Sequence, residues 1–293
     1  VSQAWTETEA QSLDRDIKAM VEAVNIGALK TRVLKLQDFG SRHSMHQGGD
    51  QASVYIRNYL LSRGYTDVSF HDYNNWNDNV LCVKQGAVNP NQYVVLTAHY
   101  DSDSTDIDDA PGADDNATGT AGIMEAARVM ASYEFQRSVI FIAFSGEEQG
   151  LVGSEAWAAV AAETGMNIVG VVNLDMLCYL DEDDAEDLDI VSNKASLPLM
   201  DLAAEAIATY VPDLAQVRGR LKGASSDHVA FWHNGYRAVT FIEDTRSYSP
   251  YIHTPNDIVG LSANNFDFML KNVQAAVATV ASLARPYRAD TQP

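Results

Sequence analysis

Val139-Ile140-Phe141-Ile142-Ala143 runs directly into Phe144-Ser145-Gly146-Glu147-Glu148-Gln149-Gly150. The apolar half is β-branched and aromatic without alternation, as in a strand buried on both faces inside a parallel sheet. Two adjacent carboxylates then stand where that strand ends. Acids placed there cost desolvation unless a positive group meets them. A divalent metal would supply the charge, with one Glu binding it and the other moving protons. On its own the Glu-Glu pair is no more than a solvated loop.

The same arrangement recurs along the chain. Tyr93-Val94-Val95-Leu96-Thr97-Ala98 reads as a second buried strand and delivers His99-Tyr100-Asp101. Gly112-Ala113-Asp114-Asp115-Asn116-Ala117-Thr118-Gly119 is an acidic turn that opens into a helix, where Asp114 or Asp115 alone would be an N-cap. Ile168-Val169-Gly170-Val171-Val172-Asn173-Leu174 delivers Asp175-Met176, and Tyr251-Ile252-His253-Thr254-Pro255-Asn256-Asp257 places a histidine in a proline-containing loop. In an open α/β sheet the carboxyl ends of the strands line one crevice, where such folds bind ligands. One metal site accounts for these acids and imidazoles together better than five unrelated surface residues do. Nitrogen and carboxylate donors suit zinc, with cobalt and manganese as alternatives, and the lack of clustered cysteines argues against a structural zinc finger.

Strand-like and helical runs alternate, which predicts a mixed, mainly parallel α/β sheet with helices on both faces. Helices are expected at 14–37, 51–63, 119–132, 154–163, 197–210 and 264–283. Strands are expected at 68–73, 79–84, 93–98, 138–144, 168–175, 188–192 and 238–242. No Gly/Ser- or Pro-rich linker, repeat or low-complexity tract divides the 293 residues, so a single domain over 1–293 is expected.

The ordered set His99-Tyr100-Asp101, Gly112-Ala113-Asp114-Asp115-Asn116, Ser145-Gly146-Glu147-Glu148-Gln149-Gly150, Asn173-Leu174-Asp175-Met176 and His253-Thr254-Pro255 resembles the di-zinc aminopeptidases related to the secreted bacterial leucyl aminopeptidase. The resemblance runs from about Tyr93 to the C-terminus and implies a zinc-exopeptidase fold with two zinc ions per chain. It implies that Asp114 bridges them, that His99 and Asp175 complete one site, and that Glu148 and His253 complete the other. Glu147 would be the general base acting on a metal-bridging hydroxide, and Asp101 would hold the free nitrogen of His99. Ser226-Asp227-His228 matches a segment expected to support the site without ligating metal. Some relatives carry a disulfide just before that segment, but Leu221-Lys222-Gly223-Ala224-Ser225 has no cysteine and departs from that pattern. Met176, Ile190, Phe241, Tyr248 and Ile252 lie in segments that the family uses to wall the pocket for the first substrate side chain. Such a pocket would favour large apolar N-terminal residues such as Leu.

Forty Asp and Glu against twenty Lys and Arg give a net charge of −20, which disfavours nucleic acid and anionic membrane as partners. Peptide or protein N-termini are the expected substrates, and a monomer is expected. The acidic run Asp101–Asp109 lacks the central Gly and terminal Glu of an EF-hand loop and reads as a solvated loop beside the site. Asp181–Asp187 reads the same way. Cys82 and Cys178 allow one disulfide at most, and their apolar settings favour buried thiols. The chain starts at Val1 with no leader, so the resemblance implies a secreted or periplasmic enzyme whose signal segment has been removed.

Three other activities share features with this pattern. A glutaminyl cyclase-type transferase uses the same fold with one metal and no attacking water, whereas the full ligand set favours two metals and hydrolysis. A carboxypeptidase needs a cation for the substrate carboxylate, and only Arg237 and Arg246 come near the motifs. A non-catalytic peptide-binding or receptor domain could dispense with ligands or base, yet all are present.

Overall fold

The computed structural model describes residues 14–219 and 225–289. In chain order the elements are α1 (Arg15–Glu22), α2 (Ile26–Gln37), α3 (Gln47–Ser62), β1 (Asp67–His71), β2 (Asn79–Lys84), β3 (Asn89–His99) and α4 (Gly119–Met130). There follow β4 (Arg137–Phe144), α5 (Val152–Glu163), β5 (Asn167–Leu174), β6 (Asp187–Ser192), α6 (Leu197–Tyr210), β7 (Ala215–Gly219), α7 (His228–His233), β8 (Ala238–Ile242) and α8 (Phe266–Ala284). The single helix expected over 14–37 is two. Asn25 breaks it, because its side chain accepts from Ala28 N and caps α2 while its own amide donates to Glu125 Oε1. The short edge strand β7 and helix α7 were not expected, and neither carries a long periodic apolar pattern.

The strands form one sheet in the order β1-β2-β4-β3-β5-β8-β6-β7. Its centre, β4, β3, β5 and β8, is parallel, and β7 runs parallel to β6. Antiparallel pairings join β1 to β2, β2 to β4 and β6 to β8. The mainly parallel mixed sheet anticipated from the alternating pattern is therefore present. Along β4, Val139, Phe141 and Ala143 pack into the larger core with α2, α4 and α8. Ile140, Ile142 and Phe144 face the other way, onto Trp157 and Ala158 of α5 and Phe231 of α7. That alternation explains why the central strands read as unbroken apolar runs: both faces are covered.

Parallel pairing also decides where the site sits. His99 is level with Phe144, Thr97 with Asn173, and Leu174 with Phe241, so β3, β4, β5 and β8 all end along one edge. The loops leaving those ends carry His99 to Asp115, Glu147 and Glu148, Asp175, and His253. Cys82 and Cys178 are both buried free thiols. Burial pushes Cys82 up to about 12.

Candidate metal centre

His99, the last residue of β3, is almost wholly buried, and its Nε2 lies 3.3 Å from Asp115 Oδ1 and 3.4 Å from Asp175 Oδ1. His253 arrives on the long loop after β8, with its Nε2 3.1 Å from Asp115 Oδ2 and 3.0 Å from Glu148 Oε2. Asp115 thus turns one carboxylate oxygen to each imidazole. The backbone at His253 and at Met176, beside Asp175, is left-handed, with φ of 55° and 50°. Side chains other than Gly and Asn rarely adopt that setting, and it tends to collect at functional sites.

This arrangement corrects the expectation for the acidic turn. Asp115, not Asp114, lies between the histidines. The amides of Asp114 and Asp115 both donate to the carboxylate of Asp257, at 2.9 and 3.0 Å, which fixes the turn and sends the two side chains in different directions. Asp114 points inward, where its Oδ1 accepts from Cys178 N and Thr118 Oγ1. Burial, followed by the neighbouring Glu243 and Asp257, raises Asp114 well above the usual carboxylate range. Asp115 is depressed despite its burial, because His253 and His99 hydrogen-bond to it.

Asp101 ties two strand ends together. Its main-chain oxygen lies 3.2 Å from His99 Nδ1 and its Oδ1 3.5 Å from the same nitrogen. The carboxylate also accepts from Glu147 N at 3.4 Å, Glu148 N at 3.2 Å and Ser44 Oγ at 3.3 Å. The turn that bears the two glutamates needs Gly146, whose φ is 77° and where a Cβ would stand 2.8 Å from the Tyr73 hydroxyl. Burial pushes Glu148 up to about 8 and Glu147 well above its ordinary value; for Glu147 the carboxylates of Asp227, Asp175 and Glu148 add to the rise while His99 opposes it. Glu147 lies with His99 and Asp175, and Asp115 and Glu148 with His99, in two groups whose ligand atoms fall within 4.8 Å of one another.

The donor set fits zinc. An imidazole Nε2 can direct one N–H at one acceptor, yet each Nε2 here faces two carboxylate oxygens. The N···O separations of 3.0 to 3.4 Å match the ~3.3 Å edge of a tetrahedron with metal–ligand bonds near 2.0–2.1 Å. Glu148 Oε1 and Asp175 Oδ1 are buried with no hydrogen-bond partner, a costly state for carboxylate oxygens that a cation relieves.

Of the expected pocket residues, Met176 and Ile252 pack with Val191, Ile242 and Trp232. Ile190 and Phe241 do not line it. They pair across β6 and β8 and are fully buried in the large core, while their neighbours Val191 and Ile242 face Met176 and Ile252. A one-residue shift along a strand exchanges faces. Tyr248 is 45 % exposed.

Ser226 and Asp227 sit behind the cluster. Ser226 Oγ accepts from Asn173 Nδ2, and burial, opposed by His99, pushes the wholly buried Asp227 up to about 7. His228 faces away, edge-on to Trp232 with ring centroids 4.5 Å apart, and neither of its nitrogens has a partner. The cysteine-free loop at 221–224 lies outside the described residues. Sequence reasoning gave no role to Asp257, Glu243, Ser44 or Asn116. Asn116 anchors the turn to β5 by donating to Leu174 O, and its Oδ1 accepts from Gly119 N. Asp257 lies four residues after His253, and nothing in its spacing distinguishes it from a surface acid.

Burial holds His228 down to about 3, against about 6.5 for a free imidazole. The unfolded chain therefore takes a proton below about 6.5 that the folded chain refuses until about 3, and stability falls across that window as pH drops. Between pH 7 and pH 5 the linkage amounts to about 2 kcal/mol. Urea unfolding of His228→Leu should lose stability over this interval by about that much less than wild type; equal losses in the two proteins would refute the assignment.

The sequence and the fold are both similar to those of known proteins. Over 201 residues, 60% of this chain, the sequence is 33% identical to a probable zinc metalloprotease of Pyrenophora teres f. teres, of which the match spans 42% of the length. It is 28% identical to a protein named leucine aminopeptidase 1 from Sclerotinia sclerotiorum, over 93% of this chain and 75% of that one. The fold matches the crystal structure of the Legionella pneumophila LapA aminopeptidase with a TM-score of 0.83, at 23% identity, over 95% of this chain and 77% of that one. Residues 79–277, which include His99, Asp101, Asp115, Glu147, Glu148, Asp175 and His253, match peptidase family M28, and the chain belongs to that family.

Proposed function

We propose that the protein is a zinc-dependent aminopeptidase that removes one residue at a time from peptide N-termini and prefers large apolar ones. The observation that carries this is the Asp115 carboxylate with one oxygen on each of two imidazoles, each of which also faces a further buried carboxylate. On this reading His99 and Asp175 would hold one zinc and His253 and Glu148 a second, with Asp115 available to both. Zinc bound there would polarise the scissile carbonyl and acidify a water.

The remaining chemistry belongs to the chain. Glu147 stands beside His99 and Asp175, and its raised proton affinity suits a group that accepts the water's proton as oxygen attacks the carbonyl carbon. When the carbon–nitrogen bond breaks, the same carboxyl returns that proton to the departing amine. Asp101 keeps both glutamate amides and the His99 ring in register for this exchange. The acidic cluster favours a free α-ammonium or amine at the closed end of the cleft, which orients the substrate by its N-terminus. Met176, Val191, Ile242, Ile252 and Trp232 offer the first side chain an apolar wall, and burying a leucine there is worth ~1.5–3 kcal/mol.

The relatives named zinc metalloprotease and leucine aminopeptidase support this activity. The cluster is complete within one chain, which supports action as a monomer, and one continuous sheet supports reading 1–293 as one catalytic domain. Among the described residues no helix is long and apolar enough to cross a membrane. Action outside the cytoplasm rests on the resemblance to secreted bacterial enzymes.

Time-resolved mass spectrometry of a mixed peptide tests which end is read. A descending ladder from the N-terminus is expected, fastest at Leu, Met and Phe, slowed where proline is second and blocked by N-acetylation. Release from the C-terminus, internal fragments or cyclisation of N-terminal glutamine without hydrolysis would overturn it.

A further inference from the structure

Arg42 lies between α2 and α3 and has no exposed surface. A buried guanidinium usually meets a carboxylate, but this one spends its planar fork on main-chain carbonyls. Nε donates to Tyr100 O at 2.8 Å, Nη1 to Pro111 O at 2.6 Å and Leu36 O at 3.1 Å, and Nη2 to Gly112 O at 2.7 Å. Tyr100 separates His99 from Asp101. Pro111 and Gly112 lead into the turn that carries Asp115. Between them runs a loop whose tip, residues 105–109, is exposed and carries like charges that repel one another.

A second set of bonds closes the same loop. Arg42 N donates to Ser102 Oγ at 3.0 Å, and Ser102 Oγ donates to Ala110 O at 2.7 Å. Gly112 makes the approach possible: its φ is 51°, and a Cβ there would stand 2.9 Å from Arg42 Nη2 and 2.5 Å from Ser102 Cβ. Two residues from outside the loop and within it thus cinch its ends. Burial lowers Arg42 only to about 10, so it also faces Asp257, Asp101, Asp115 and Glu148 as a permanent cation.

We propose that Arg42 is a positioning residue of the metal site, clamping the strand end that presents His99 and Asp101 to the turn that presents Asp115. The inference rests on the metallopeptidase reading above. Without the clamp the two ligand-bearing segments separate, and preorganisation for zinc is lost although every ligand remains. Changes to groups that orient metal ligands typically cost about 10- to 100-fold in affinity or activity.

The test uses the full chain stripped by chelator and titrated with zinc alone, at a temperature where circular dichroism shows wild type and variants equally folded. Arg42→Lys retains the charge but cannot span four carbonyls, and Arg42→Met removes both charge and fork. Zinc affinity should fall about 10- to 100-fold in each, and at saturating zinc Arg42→Lys should lose kcat on leucine p-nitroanilide with KM changed little. A merely structural arginine would shift the melting temperature and leave the zinc affinity of the folded protein alone. Wild-type affinity in folded Arg42→Lys and Arg42→Met overturns the proposal. If Arg42→Met does not fold, Ser102→Ala, which breaks the parallel link and keeps the charge, replaces it; unchanged affinity in both Ser102→Ala and Arg42→Lys is equally fatal. Failure of the wild-type chain to take up zinc instead brings down the metallopeptidase reading itself.

Discussion

Glu147→Gln is expected to bind zinc as wild type does and to lose ~10²- to 10⁴-fold in kcat, whereas Glu148→Ala loses metal. The two residues are neighbours in sequence, and both amides donate to Asp101, so the difference must come from where the side chains go. Glu148 turns to His253, with Oε2 3.0 Å from Nε2 and Oε1 buried without a partner. That is the posture of a ligand. Glu147 lies on the His99 and Asp175 side, where Asp115 and Asp175 already supply two carboxylate oxygens to one imidazole. A further anion there is better placed to take protons than to add charge to the metal. Glutamine keeps the shape and the turn but cannot accept the proton, so the acid limb of the wild-type pH–kcat profile should vanish with the activity. Metal analysis beside leucine p-nitroanilide turnover reads both quantities. Equal zinc loss in the two variants, or a Glu147→Gln enzyme of wild-type kcat, would sink the assignment.

What the sequence disclosed and what it hid follow from one physical difference. Buried parallel strands impose a composition on themselves, so β3, β4 and β5 are legible as apolar runs, and the residues at their ends, His99, Glu147, Glu148 and Asp175, can be placed along one crevice from the sequence. The edge strand β7 buries little, and α7, although Ala230 and Phe231 are buried, is only six residues long, too short to leave a periodic imprint. Direction was the other hidden quantity. Ile190 and Val191, or Phe241 and Ile242, are interchangeable in hydrophobicity, and only the sheet's pairing decides which of each joins the large core and which packs with Met176 and Ile252. The same holds for Arg42, Asp257 and Glu243. Their partners lie far along the chain, and a charged residue destined for burial looks in sequence like any surface residue.

The acidic turn is the sharpest case, and it yields the second large expected effect. Asp114 and Asp115 are identical side chains one residue apart, yet Asp257 fixes both amides so that one carboxylate reaches the histidines and the other turns to Cys178, Thr118 and Glu243. Asp115→Ala removes the oxygen facing each imidazole and should abolish tight zinc binding at both positions, with activity falling by more than the ~10- to 100-fold typical of changes outside the ligand set. Asp114→Asn should be mild. Burial and Glu243 favour a protonated Asp114, burial pushes Glu243 up to about 8, and an amide reproduces both the acceptor for Cys178 N and a donor toward Glu243. Zinc titration of the two stripped variants by calorimetry separates the alternatives. If Asp114→Asn loses both zinc equivalents and Asp115→Ala keeps them, the shared carboxylate is Asp114 and the reading of the turn is inverted; two equivalents in both variants would mean that neither residue bridges metal.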